Sequence, residues 1–149
     1  MTNVEIKKLE SENLAEFNEV IRLFEDVFEM KDFKIPEQNH LQSLLDKDDF
    51  YVFAAFHDDK IVDALTAYRL VQYYSERPLV YVYDLAVKTE LQRRGICKKL
   101  IAAITNHCKA RGVEEVFVQA DRTDDHAVKF YYSTGATAED VIHFYYPLK

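Results

Sequence analysis

The sequence predicts a single mixed α/β (α+β) domain over residues 1–149, with elements in the order βααβββαβαβ. Three observations carry this. Segments of strand-like apolar patterning alternate with segments whose apolar residues recur on one helical face. The apolar run Val80 to Val87 passes through a short polar turn directly into a helical stretch ending near Arg111. No linker, low-complexity tract or internal repeat interrupts the chain. A chain of 149 residues suits one domain, and at that size roughly two-thirds of the unfolded chain's surface is buried.

Val4 to Leu9 alternates apolar and charged residues and predicts a first strand. Ser11 is the expected N-cap of a helix from Glu12 to Glu29, whose Leu14, Phe17, Val20, Ile21, Phe24, Val27 and Phe28 share one face. Pro36 suits the first turn of a second helix carrying Leu41, Leu44 and Leu45. Phe50 to Phe56 and Lys60 to Tyr73 predict two strands joined by a hairpin turn at His57-Asp58-Asp59. The strand ending at Val87 follows, and a helix opening at Gln92 aligns Ile96, Leu100, Ile101, Ile104 and Cys108, with Gly112 as its C-terminal cap. Val113 to Ala120 predicts a strand, Asp125 to Thr134 a short helix ending at Gly135, and Thr137 to Leu148 a closing strand.

Charge is unevenly placed. Between Lys88 and Arg111 seven basic residues face one acidic residue, Glu90, in a chain whose net charge is −7. The strand-to-helix junction inside this stretch points unpaired N–H groups at the positive end of a helix dipole, which is an anion site. A solvated, salt-bridged helix face is the plainer reading of the same charges. The acidic balance argues against general nucleic-acid binding. The longest apolar run is too short to cross a bilayer and the first residues lack a signal peptide's apolar core, so the expectation is a cytoplasmic protein without membrane contact. Cys97 and Cys108 fall eleven residues apart on one helix, about 16 Å, beyond disulfide reach. The histidines are scattered, and no metal site is expected. The three glycines, 95, 112 and 135, all lie at element boundaries, which excludes a glycine-rich dinucleotide fingerprint or a Walker loop.

Gln92-Arg93-Arg94-Gly95-Ile96-Cys97, directly after Asp84-Leu85-Ala86-Val87, resembles the acetyl-CoA loop of the GNAT N-acetyltransferase superfamily. A second motif follows at the family's distance, in Asp124, Ala127, Phe130-Tyr131 and Gly135. Within the superfamily the chain is similar to the aminoglycoside 3-N-acetyltransferase type I group, through Tyr83-Asp84-Leu85-Ala86-Val87, Val118-Gln119-Ala120-Asp121, Ala127-Val128 and Val141-Ile142-His143-Phe144. Cys97 stands where Gly or Ala is usual, Asp124 replaces Asn, and Ala136 replaces a common Phe. The resemblance implies a mostly antiparallel mixed sheet flanked by helices, acetyl-CoA as donor, and a homodimer.

The resemblance assigns the donor's pyrophosphate to the backbone of Gln92, Arg93, Arg94, Gly95, Ile96, Cys97 and Lys98, and adds Asp124 to the donor-binding set. It lays the pantetheine along the main chain of Leu85, Ala86 and Val87, with an N–H near Leu85 polarising the thioester carbonyl. A lysine-like amine with a pKa of about 10.4 is roughly 0.04% neutral at pH 7, a deficit of about 4.6 kcal/mol, so direct attack in a ternary complex needs a base. Asp84 is the candidate base, directly or through water; a strand-end carboxylate bonded to backbone is its plainer role. Tyr131 is the candidate acid for the departing thiolate, against a half-buried packing role.

Asp121, Asp124, Asp125, Glu139 and Asp140 form a candidate acidic lip for a polycationic acceptor, joined by Glu25, Asp26 and Glu29 near the end of the first long helix. One of Asp124 and Asp125 is expected to cap the following helix. The best-fitting acceptor is a small polycationic amine such as an aminoglycoside, at its 3-amino group. A polyamine, a peptide or protein amine, or a non-catalytic CoA-binding role are the competing readings.

Overall fold

The computed structural model describes residues 3–148, and the chain divides into two compact units between Gln119 and Ala120. The first holds β1 (Glu5–Lys8), α1 (Leu14–Val27), α2 (Gln38–Leu45), β2 (Phe50–His57), β3 (Lys60–Leu70), β4 (Leu79–Val87), a 3-10 turn (Thr89–Leu91), α3 (Ile96–Ala110) and β5 (Glu115–Val118). The second holds α4 (Asp125–Ser133). The sheet runs β1-β2-β3-β4-β5 in space, antiparallel throughout except for the parallel β4–β5 pair that α3 connects. This is the mixed, mostly antiparallel sheet with flanking helices that the sequence leads one to expect.

The apolar run Phe50 to Phe56 is continuous because both faces of β2 are covered. Phe50, Val52 and Ala54 pack with Phe17, Val20, Leu23 and Phe24 of α1 and with Leu41 and Leu45 of α2. Tyr51, Phe53 and Ala55 pack on the other face with Ile96, Leu100, Ile104 and Cys108 of α3. Val20, Leu65, Leu100 and Ile104 are fully buried, each worth about 1.5–3 kcal/mol of transfer free energy. The β2–β3 hairpin turns through Asp58 (φ 50°) and Asp59 (φ 62°), the two left-handed residues that a tight type I′ turn requires. At the far end of α3, Gly112 (φ 74°) lets the Val113 N–H return to the Cys108 carbonyl at 3.1 Å, closing the helix.

Several expected boundaries move. α1 starts at Leu14 with Asn13, not Ser11, at the N-cap position; the Asn13 side chain turns back to accept the Glu10 N–H at 2.8 Å and stabilises the preceding turn. α2 begins at Gln38, so Pro36 lies just before the helix. β3 stops at Leu70, and Tyr73 beyond it is 92% exposed.

The larger departure is at the end of the chain. The described residues after Ala136 form no strand, and Ile142, Phe144 and Tyr146 are all exposed. Alternating apolar residues give a segment strand propensity, but a strand exists only where a neighbour receives its N–H and C=O groups. Thr137 to Leu148 has no such ladder among the described residues, so the observed order ends at α4.

Candidate donor and catalytic site

The strand-to-helix junction, where the sequence leads one to expect an anion site, contains two left-handed residues. After the 3-10 turn, closed by the Leu91 N–H to Lys88 carbonyl bond of 2.8 Å, Arg93 has φ 67° and Gly95 φ 79°. Neither conformation continues a helix, so α3 starts at Ile96 rather than at Gln92. Gly95 is the N-cap and no side chain caps the helix there, leaving the first-turn N–H groups of Ile96, Cys97 and Lys98 without intrahelical acceptors. A Cβ on Gly95 would meet nothing within 4 Å, so the glycine is required by its backbone angle and leaves the approach to the first turn open. Gln92, Arg93, Arg94 and Lys98 are exposed around this opening, whereas the Ile96 side chain is buried in the core and offers only its main chain.

β4 supplies a second opening. It pairs with β5 only from Leu79 to Val82; beyond that point no described strand pairs with it on the β5 side. On its other side the β3 register shifts between Thr66 and Ala67, which face Asp84 and Val82, so Tyr83 is an extra, bulged residue. The main chain of Leu85, Ala86 and Val87 therefore borders an unpaired strand edge, as an extended ligand would need. Ala86 is itself buried, and Leu85 packs against the α3 side of the core.

Asp84 stands at the start of this unpaired stretch. It is half-buried, and desolvation raises its pKa above the usual carboxylate value, the direction that makes a carboxylate a better proton acceptor. Beside it lies a feature that sequence reasoning missed. Tyr68 of β3 and Tyr81 of β4 each meet the Tyr83 ring edge-on at 5.8 Å, and Tyr81 stacks on Phe117 at 4.8 Å. The Tyr68 pKa is raised, first by burial and then by Tyr83 and Asp84. The sequence signal was the Tyr-Val-Tyr-Asp alternation of residues 81–84, but Tyr68 joins it only through the sheet register.

A second missed group is Asp63, inside the otherwise apolar segment Ile61 to Leu65. It is fully buried, and neither carboxyl oxygen has a hydrogen-bond partner of good geometry. Burial raises its pKa to about 7, opposed more weakly by the Cys97 thiol and the Ala64 N–H. The lone acid in a buried strand was the available signal.

In the second unit, Asp124 is the N-cap of α4, accepting the Ala127 N–H at 3.1 Å. Its carboxylate is therefore committed to the helix it opens, and Asp125 is the exposed acid in the first turn. Asp121 accepts the Thr123 N–H and hydroxyl, which hold its pKa below the usual value. Asp140 pairs with Arg122, which offsets part of the acidic lip, while Glu139 is exposed. Tyr131 lies on α4, half-buried, with its ring 5.1 Å from that of Phe130.

In the first unit, Glu25 and Asp26 of α1 and Glu29 just beyond it line one open depression; Arg22 pairs with Glu25 at 2.8 Å. Thus Asp84, the β4 edge and the α3 opening belong to one unit, as do Glu25 and Glu29. Asp121, Asp124, Asp125, Tyr131, Glu139 and Asp140 belong to the other.

The family model described as "Acetyltransferase (GNAT) family" matches residues 16–136. The chain belongs to the GNAT acetyltransferase family. Acetyl-CoA is the donor of that family, and the stretch matched to it includes the junction between β4 and α3. An aminoglycoside acetyltransferase, meta-AAC0020, from an uncultured soil metagenomic sample and solved in complex with sisomicin, is 56% identical, with 98% of this chain and 97% of that one covered and a TM-score of 0.96. A second aminoglycoside acetyltransferase, HMB0005, also from an uncultured soil metagenomic sample, is 30% identical over 99% of this GNAT chain and 100% of its own, with a TM-score of 0.93. A [ribosomal protein bS18]-alanine N-acetyltransferase from Haemophilus ducreyi is 31% identical over 67 residues, 45% of this chain. The match spans 46% of that curated relative's length.

Proposed function

We propose that the protein is an acetyl-CoA-dependent N-acetyltransferase whose acceptor is an aminoglycoside, attacked at its 3-amino group. The observation that carries the acceptor class is the 56% identity, across nearly the whole of both chains, to an aminoglycoside acetyltransferase bound to sisomicin. The 3-amino position rests on the motif resemblance, above all Tyr83 to Val87 and Val141 to Phe144.

In this reading the uncapped first turn of α3 receives the donor's pyrophosphate, with charge supplied by Arg93, Arg94 and Lys98. The pantetheine pairs with the free edge of Leu85, Ala86 and Val87, and the thioester carbonyl accepts a backbone N–H near Leu85. The acceptor amine gives its proton to Asp84, directly or through water. Its nitrogen then attacks the thioester carbon, the C–S bond breaks, the departing thiolate takes a proton from the Tyr131 hydroxyl, and the surplus proton on the acylated nitrogen returns to the tyrosinate, directly or through water. Asp121, Asp125, Glu139, Asp140, Glu25 and Glu29 supply negative charge for a polycation, and Asp124 supports α4 as its cap. The chain works as a single acetyltransferase domain in the cytoplasm. The protein assembles as a homodimer, for which the exposed Ile142, Phe144 and Tyr146 offer apolar surface.

A specific observation supports a second reading, acetylation of a protein amine: the partial match to a ribosomal-protein alanine acetyltransferase. Competition separates the two. Turnover of an aminoglycoside together with none of an alanine-terminated peptide supports the first; the reverse supports the second.

A further inference from the structure

Asp63 is a buried acid for which the chemistry above has no use. It sits on β3, opposite Ala55 of β2 and Val87 of β4 in the sheet register. Its carboxyl is fully buried, with neither oxygen in a well-formed hydrogen bond. A charge in that position is costly, and among the described residues no buried cation offsets it. From the elements packed around it, the titratable group acting on Asp63 among the described residues is the Cys97 thiol of α3. Cys97 is the second residue of α3, immediately beyond Gly95 and Ile96 and inside the uncapped turn. The pairing is mutual: burial first, and then Asp63, push the thiol well above its ordinary pKa, so Cys97 stays a neutral S–H. Asp63 thus meets the side chain of a residue in the turn whose first N–H groups have no intrahelical acceptor.

We propose that Asp63 is a proton-linked positioning residue for the donor: neutral, it seats the Cys97 thiol and holds the first turn of α3 for the donor's phosphates; ionised, it opposes them. The proposal rests on the reading that this turn receives the pyrophosphate. The physical cause is simple. A carboxylate against Cys97, in the first turn of the helix, adds negative charge close to where the donor's phosphates would sit, and low-dielectric surroundings screen it poorly. By reciprocity, bound acetyl-CoA favours the protonated acid, so binding takes up a fraction of a proton near neutral pH. Nothing in this requires Asp63 to touch the donor.

The test measures acetyl-CoA affinity by calorimetry from pH 6 to pH 8.5, in buffers of differing ionisation enthalpy, for the wild type, Asp63→Asn and Gly95→Ala. The wild type is expected to bind about three- to tenfold more weakly at pH 8.5 than at pH 6, beyond the change seen for Asp63→Asn, and to take up protons that Asp63→Asn does not. In turnover the same difference falls in KM for acetyl-CoA rather than in kcat. A thermal melt at pH 6 verifies that Asp63→Asn is folded. Equal pH slopes and equal proton uptake in the wild type and a folded Asp63→Asn overturn the proposal. Gly95→Ala keeps the two failures apart. If it leaves acetyl-CoA affinity unchanged, the placement of the donor at α3 is wrong. If it weakens binding while the Asp63→Asn profile matches the wild type, the role of Asp63 alone is wrong.

Discussion

Asp84 and Tyr131 carry opposite halves of the proposed proton traffic, and single substitutions separate them. Asp84→Asn keeps the shape of the strand end but removes the proton acceptor, and is expected to lower kcat/KM by about 10²–10⁴, the range of general-base catalysis. Tyr131→Phe removes only a hydroxyl and is expected to lower kcat with little change in KM for acetyl-CoA; an unchanged kcat in steady-state assays would remove it from the mechanism. Asp63 governs stability at the same scale. Its folded-state pKa of about 7 lies above the unfolded value of 3.8, so its stabilising contribution is fully present below pH 3.8 and is lost as pH rises through about 7. The full shift corresponds to roughly 3–5 kcal/mol. Urea denaturation should therefore find Asp63→Asn more stable than the wild type at pH 8 and the difference much smaller at pH 5. A wild type that gains stability from pH 5 to pH 8 relative to Asp63→Asn would contradict the assignment. The acid at residue 63 was visible in the sequence, but its contact with Cys97 arises from packing of α3 on β3 and was not.

The junction between β4 and α3 is the element on which the donor reading depends. Its existence was legible from the order of apolar, polar and basic residues at 80–111, because local chemistry decides it. Its geometry was not. The helix starts at Ile96 because Arg93 and Gly95 are left-handed, and a non-glycine residue at φ 67° is not announced by composition. Gly95→Ala is expected to cost about 1 kcal/mol in denaturant titrations through the backbone alone, since its Cβ meets no neighbour, and to weaken acetyl-CoA binding as well. Asp124→Ala at the α4 cap is expected to cost about 1 kcal/mol, read as a lower midpoint in the same titrations. The β4 bulge at Tyr83 was equally hidden, since a register shift is a property of two strands and not of one. The strand expected over Thr137 to Leu148 failed for the related reason that propensity names no partner.

For the molecule as a whole, the two-sided sheet was the most legible feature. The run Phe50 to Phe56 and the stripes on α1 and α3 have one economical solution, a strand covered on both faces. The family followed from two spaced motifs, and the match over residues 16–136 bears that out. Acceptor identity was least legible, because negative charge attracts a polyamine, an aminoglycoside or a lysine alike, and Arg22 and Arg122 already engage part of the acidic set. Saturating donor should stabilise the fold by about 2.7 kcal/mol at one hundred times its dissociation constant, measurable as a rise in Tm.

The most direct test of the central claim is a mass-spectrometric and NMR analysis of sisomicin incubated with the protein and acetyl-CoA. The account predicts stoichiometric CoA release and a single acetyl group on the 3-amino nitrogen. No acetylated product across a panel of aminoglycosides, with acetyl-CoA still raising the Tm, would contradict it.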